Sequence, residues 1–199
     1  MAGIYIHIPF CRHKCNYCNF YSLASTRHMD QVSESIISEI LQRKHYLAGQ
    51  QVETIYFGGG TPSLLNTSDV ERIIQTIFSI YSVMPGAEIT LEANPDDLTP
   101  EKLSALKKTG INRLSIGIQS FRQDDLEFLS RTHTSDQVTQ CIVDSQAAGF
   151  HNLSIDLIYG IPTLTDDGWK ENLDRAFLSV FLIFRPIRLP SRRKRLWLL

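Results

Sequence analysis

The chain has 199 residues, 43% apolar and 21% charged, which is enough for one globular core and unlike a disordered composition. Its net charge is −1, but Arg185, Arg188, Arg192, Arg193, Lys194 and Arg195 crowd into its final residues. Setting those six aside from the 20 Lys and Arg leaves 14 bases against 21 acids, a body near −7 that argues against a nucleic-acid-binding surface.

In chain order, Ile4–Ile8 predicts a strand, followed by Cys11-Arg-His-Lys-Cys15-Asn-Tyr-Cys18. A helix is expected over about Gln31–His45, with Ile36, Ile37, Ile40 and Leu41 on one face. Strand Glu53–Phe57 runs into Gly58-Gly59-Gly60-Thr61-Pro62, and a helix through Val70–Tyr81 opens behind the cap candidates Asn66 to Asp69. Strand Ala87–Ala93, helix Pro100–Lys108 stopped by Gly110, and strand Arg113–Ile118 come next. A short helical turn near Asp124–Leu129 precedes a helix over Asp136–Ala148 that ends at Gly149. Strand Asn152–Ile158 and helix Asp167–Phe177 close the series. Five βα units in succession predict an α/β fold with a parallel sheet, open or curled into a barrel.

The strands alternate. Ile4, Ile6 and Ile8, then Ile89, Leu91 and Ala93, then Leu114, Ile116 and Ile118, then Leu153, Ile155 and Leu157 share one face. Tyr5, His7, Thr90, Glu92, Asn94, Ser115, Gly117, Gln119, Ser154 and Asp156 fall between them. Parallel strands covered by helices on both faces read as continuous apolar runs. A polar face in strand after strand therefore predicts helices outside and a polar ligand in a lumen. Glu92, Gln119 and Asp156 sit towards the carboxyl ends of their strands, the rim where βα barrels carry chemistry.

Three cysteines at C-x3-C-x2-C spacing fit one inorganic centre, because so short a loop can bring three soft thiolates together. A closed zinc site wants four ligands, with His7 or His13 as the nearby fourth donor. A four-iron cluster held by three thiolates keeps one iron free for a reacting ligand. Four cysteines, with Cys141 alone on a helix face as a core residue, are not a disulfide framework and suit a reducing cytoplasm. The N-terminus shows no basic region or small-residue cleavage site of a signal peptide, and no apolar run reaches membrane-spanning length. Gly58-Gly59-Gly60 lets backbone N–H groups approach an anion, or makes a plain βα turn.

These motifs together resemble the radical S-adenosylmethionine (SAM) enzymes. More narrowly they resemble the oxygen-independent coproporphyrinogen III oxidase family and its heme-chaperone branch, over about residues 3–177. The carrying motifs are Tyr5-Ile-His-Ile-Pro-Phe-Cys11, the cysteine loop, Phe57-Gly-Gly-Gly-Thr-Pro62, Leu91-Glu-Ala-Asn-Pro95, Leu114-Ser-Ile-Gly-Ile-Gln-Ser120 and Ile155-Asp-Leu-Ile-Tyr-Gly-Ile-Pro162. The resemblance implies a partial six-unit radical SAM barrel with five βα units present. It implies a 4Fe–4S cluster on Cys11, Cys15 and Cys18, with SAM chelating the open iron. Tyr5 and Tyr17 would flank SAM, Gly59, Gly60 and Thr61 would line its methionine part, and Glu92, Gln119, Arg131 and Asp156 would contact its other polar atoms. Arg131, just after a short helix, reads from pattern alone as a solvated surface charge.

The chemistry so implied is reductive cleavage of SAM to methionine and a 5′-deoxyadenosyl radical in a dry lumen. In the oxidases a further Cys follows two positions after the third ligand; here Phe20 stands there, as in the heme-chaperone branch. The expected function is therefore heme binding and transfer to an acceptor protein, with an electron donor, in the cytoplasm. The alternatives are coproporphyrinogen oxidation and a zinc-stapled α/β binding module.

From Leu178 the sequence changes character, and residues 178–199 are expected to be an aberrant basic tail behind a core of 1–177. A shifted frame across Leu182–Leu196 can encode His-Ile-Ser-Ala-Tyr-Ser-Leu-Thr-Val-Glu, which resembles the family's sixth strand. A frame slip near Leu178 is expected on that basis, leaving a truncated relative with an open rim and weak or no activity. Val180–Phe184 could still dock as a makeshift strand. The coding DNA checks the slip: the shifted frame should read as this string, and stop codons throughout it would contradict the expectation.

Overall fold

The computed structural model describes residues 2–178 and 182–188. Its sheet runs β1 (Ala2–Ile8), β2 (Val52–Gly59), β3 (Val83–Ala93), β4 (Arg113–Gln119), β5 (Asn152–Tyr159) and β6 (Leu182–Arg188). The spatial order equals the chain order and every neighbouring pair is parallel. Helices α1 (Met29–Gln42), α2 (Thr67–Ile80), α3 (Pro100–Lys108), α4 (Gln123–Phe128), α5 (Ser135–Ala147) and α6 (Asp166–Leu178) form the connections. Residues of both outermost strands, Tyr5 of β1 and Ile187 of β6, line the same cavity, so the sheet is curled into an open half-barrel.

Period-2 alternation explains which side is which. The inward series of apolar residues packs against the helices in one continuous core: Ile8, Leu91, Leu114, Ile116 and Ile155 are buried together with Ile73, Leu103 and Ile142 of the helices. The alternate residues face the hollow side. Helix α3 starts on Pro100, with Thr99 accepting the Lys102 N–H, and α5 starts on a capping box between Thr134 and Gln137. Gly110 and Gly149 follow the two helices at φ +101° and +86°, a conformation costly for any residue with a Cβ.

Two expectations need correction. Leu41 is exposed, because the buried stripe of α1 runs through Met29, Ser33 and Ile40, with Ile36 and Ile37 beside it, and Leu41 falls past its edge. The segment expected as a makeshift strand at Val180–Phe184 is a strand over Leu182–Arg188, paired along β5 from Leu153↔Leu182 to Tyr159↔Arg188. The rest of the expected tail, residues 179–181 and 189–199, lies outside the described residues. No helix among those described is long and apolar enough to cross a membrane.

The central strand offers a direct test of this packing. Leu91 is wholly buried between the helix layer and its strand neighbours, so Leu91→Ala should lower unfolding stability by about 2–5 kcal/mol in urea titration. A loss under about 1 kcal/mol would contradict a packed core there.

Candidate cofactor site

The cysteine loop leaves the carboxyl end of β1 and is closed at its neck by backbone bonds. Leu23 N donates to Pro9 O at 2.6 Å, and Cys11 N donates to Leu23 O at 2.9 Å. The loop is also fastened to the turn after β2, where Gly60 N reaches Ile8 O at 2.7 Å and Thr61 N reaches Phe10 O at 2.7 Å. Phe10 is buried beneath this junction. A Cβ on Gly60 would stand 2.5 Å from Phe10 O and 2.9 Å from Ile8 O, both immovable backbone atoms. Gly59, at φ +115°, needs a conformation open mainly to glycine. The three glycines are therefore a close-approach device and not only a turn.

Between this junction and the hollow side of the sheet lies a cavity of about 710 Å³. Cys11, Cys15 and Cys18 line it, as do Tyr5, Tyr17, Gly59, Gly60, Thr61, Glu92, Gln119, Arg131 and Asp156. The structure thus brings every residue expected at the site to one place. Glu92 accepts from Tyr56 Oη at 2.7 Å and from Gly59 N at 3.1 Å, which fixes its carboxylate beside the glycine loop. Tyr5 stacks on Tyr56 with ring centres 6.0 Å apart and bonds His7 Nδ1 at 3.2 Å.

Arg131 departs from its pattern-based reading. Its guanidinium points inward, donating to Asn94 Oδ1 at 2.7 Å, to Gly117 O at 2.8 Å, and to Cys15 Sγ and Tyr17 Oη at 3.4 Å each. A fixed cation beside Cys15 favours that sulfur's thiolate form. Burial pushes the Cys18 thiol up, and burial likewise raises Tyr17 against the opposing pull of Arg131. Thr61 Oγ1 donates to Cys11 Sγ at 3.4 Å. All three thiols are free, and among the described residues no group of three His, Cys, Asp or Glu converges as ready-made ligands of a single ion. Of the two histidines named as fourth donors, His13 lines the cavity and His7 does not.

Two polar atoms in this wall are buried without a hydrogen-bond partner among the described residues: Gln119 Oε1, an acceptor in want of a donor, and Arg131 Nε, a donor in want of an acceptor. Gln119 itself has φ +70°, and the β4–β5 register jumps between Ile116 and Gln119. Such strain in a non-glycine residue concentrates at functional sites. An occupant that offers both a cationic donor and an anionic acceptor, as an amino-acid end group does, satisfies both orphans. The donor set, glycine cradle and orphaned atoms fit a thiolate-held cluster with such a ligand.

Sequence reasoning missed Asn94 and Tyr56 as parts of the site. Asn94 bridges Arg131 and Thr61, its Nδ2 donating to Thr61 Oγ1 at 3.4 Å. The signal for it was present, since Asn94 continues the polar series of β3. Tyr56 shows less, because an aromatic on a strand reads equally well as packing.

The sequence matches the family described as Radical SAM superfamily over residues 5–176. It is 38% identical over 178 residues to heme chaperone HemW of Lactococcus lactis, covering 89% of this chain and 46% of that protein. It is 36% identical over 178 residues to heme chaperone HemW of Bacillus subtilis, covering 88% and 47%. Among solved structures, coproporphyrinogen III oxidase (HemN) from Escherichia coli, titled a radical SAM enzyme, superposes with a TM-score of 0.83 at 29% identity, covering 92% of this chain and 43% of that one. The chain spans just under half the length of these relatives.

Behind Arg131, His133 is buried with its Nε2 3.1 Å from Ile118 O. Burial, and then the Arg131 charge, hold its pKa down to about 4. The folded state then binds fewer protons than the unfolded chain between about pH 6.5 and 4, so stability is lost as pH falls through that window. The loss should approach about 3 kcal/mol by pH 4, read by urea unfolding across the range. His133→Gln, which keeps a donor for Ile118 O, should flatten that slope; an unchanged slope would contradict a neutral buried imidazole.

Proposed function

This chain belongs to the radical SAM superfamily, and on that premise we propose that it is the cofactor-binding core, residues 1–177, of a heme chaperone. The observation that carries the reading is the shared cavity: three thiols of one short loop face a glycine cradle and the orphaned Gln119 and Arg131 atoms. Cys11, Cys15 and Cys18 would hold a 4Fe–4S cluster, and Gly59, Gly60, Thr61, Glu92, Gln119, Arg131 and Asp156 would hold SAM, with Tyr5 and Tyr17 at its flanks. When bound, the pair supplies reductive cleavage of a sulfonium carbon–sulfur bond.

The chain's own residues orient and screen. Arg131 supplies fixed positive charge beside Cys15, and Asn94 holds that guanidinium in place. Glu92, fixed by Tyr56 and Gly59, offers a carboxylate for a cationic group. Phe20 stands at the cavity mouth, 72% exposed, and offers a ring where the oxidases carry their further Cys. An exposed aromatic there cannot supply sulfur chemistry but can stack on a flat tetrapyrrole.

The heme-chaperone relatives favour heme as cargo. The second reading, coproporphyrinogen oxidation, has the HemN structural likeness behind it and Phe20 against it. A heme acceptor protein, an electron donor and a cytoplasmic setting belong to the same proposal.

Anaerobic reconstitution with iron and sulfide, then titration with heme and with coproporphyrinogen, tests it. We expect a heme Soret shift and no decarboxylated product, with Cys15→Ser losing iron and SAM affinity by about tenfold or more. Turnover of coproporphyrinogen, or iron and SAM binding unchanged in Cys15→Ser, would contradict the proposal.

A further inference from the structure

Asp97 ends the short helical turn Pro95–Asp97 that follows β3. Its side chain is only 2% exposed, and an ionised carboxylate so placed is costly unless it is paired and hydrogen-bonded. Both oxygens are engaged. Oδ1 accepts from Arg12 Nε at 3.1 Å and pairs with Arg12 Nη2 at 2.9 Å. Oδ2 accepts from Ser63 Oγ at 2.7 Å, and the same hydroxyl accepts from Asn94 N at 3.3 Å.

The partners matter more than the pair. Arg12 follows Cys11 directly, and its side chain, 64% exposed, reaches inward from the cysteine loop. Ser63 lies two residues beyond Thr61, in the turn that continues the glycine loop. Asn94 carries the contact to Arg131. One carboxylate therefore joins the cysteine loop, the glycine loop and the exit of β3. Lys102 Nζ holds the same turn from outside, donating to Ser63 O and to Leu65 O. Neither Arg12 nor Asp97 lines the cavity. On the loop's other side Asn16 donates to Phe128 O at 2.9 Å and Arg131 meets Cys15, so the loop is gripped at two ends and Arg12 supplies one grip.

We propose that Asp97 is a positioning residue: through Arg12 and Ser63 it sets the three cysteines against the glycine loop. It touches neither the cavity nor anything bound there. Its importance for iron rests on Cys11, Cys15 and Cys18 being cluster ligands; its grip on the loop does not.

Hydrogen exchange on the metal-free chain reads the grip itself. Asp97→Asn and Arg12→Ala should each speed amide exchange over residues 9–23 about tenfold or more, with β3 and β4 amides unchanged. The double variant should add little to either single variant, because both break one link. Arg12→Lys, which keeps the charge, should fall between. Loop exchange unchanged in both single variants, acceleration spread evenly over the strands, or effects that multiply in the double variant would each overturn the proposal. In reconstituted protein the same variants should lose iron to a chelator faster by a similar factor. Wild-type chain that takes up no iron would sink the cluster reading, while the exchange experiment would still decide the grip.

Discussion

A parallel sheet that bears polar side chains on one face needs something polar against that face, because helices packed there would strand carboxylates and amides without partners. In this chain Glu92, Asn94, Gln119 and Asp156 all stand on the hollow side, while the alternate residues of the same strands are sealed against helices. The curl of the sheet follows from that division. With both edge strands bordering one cavity, the polar face becomes an inner wall instead of a water-facing plane.

The second requirement is that a sulfur-bearing loop be brought to this wall and held there. Side chains alone would do it loosely, since exposed pairs contribute little. The chain uses backbone instead: two bonds close the loop's neck, and two more fasten it to the turn after β2. That fastening is possible only where no Cβ intervenes, which is why Gly60 sits under Phe10 O. Arg131 and the Asp97–Arg12 pair then grip the loop on its two sides. Family membership, the shared cavity and these fastenings describe one object, a half-barrel whose rim presents three thiols to a polar pocket.

Much of this was legible before any coordinates. Period-2 alternation and glycine punctuation placed five strands and the main helices within a few residues, and the cysteine spacing with the polar strand ends marked the rim. Arg131 was not legible as a buried residue, because its burial depends on how α4 lies across β4 and on Asn94 beside it, a relation between segments far apart in the chain. The left-handed turn at Gln119 was hidden for a similar reason: nothing in Ile-Gln-Ser signals strain that the register jump imposes. Leu41 misled because helical periodicity fixes a stripe but not its width. Asp97 read as one of two adjacent acids at a helix entry, and only the fold shows which one is buried.

The account stands on the three thiols and the pocket acting as one centre. Electron paramagnetic resonance of the reduced, anaerobically reconstituted chain, recorded with and without SAM, tests this most directly. The account predicts a cluster of about four irons per chain whose spectrum changes when SAM is added. A single bound metal ion, or a cluster spectrum indifferent to SAM, would contradict it.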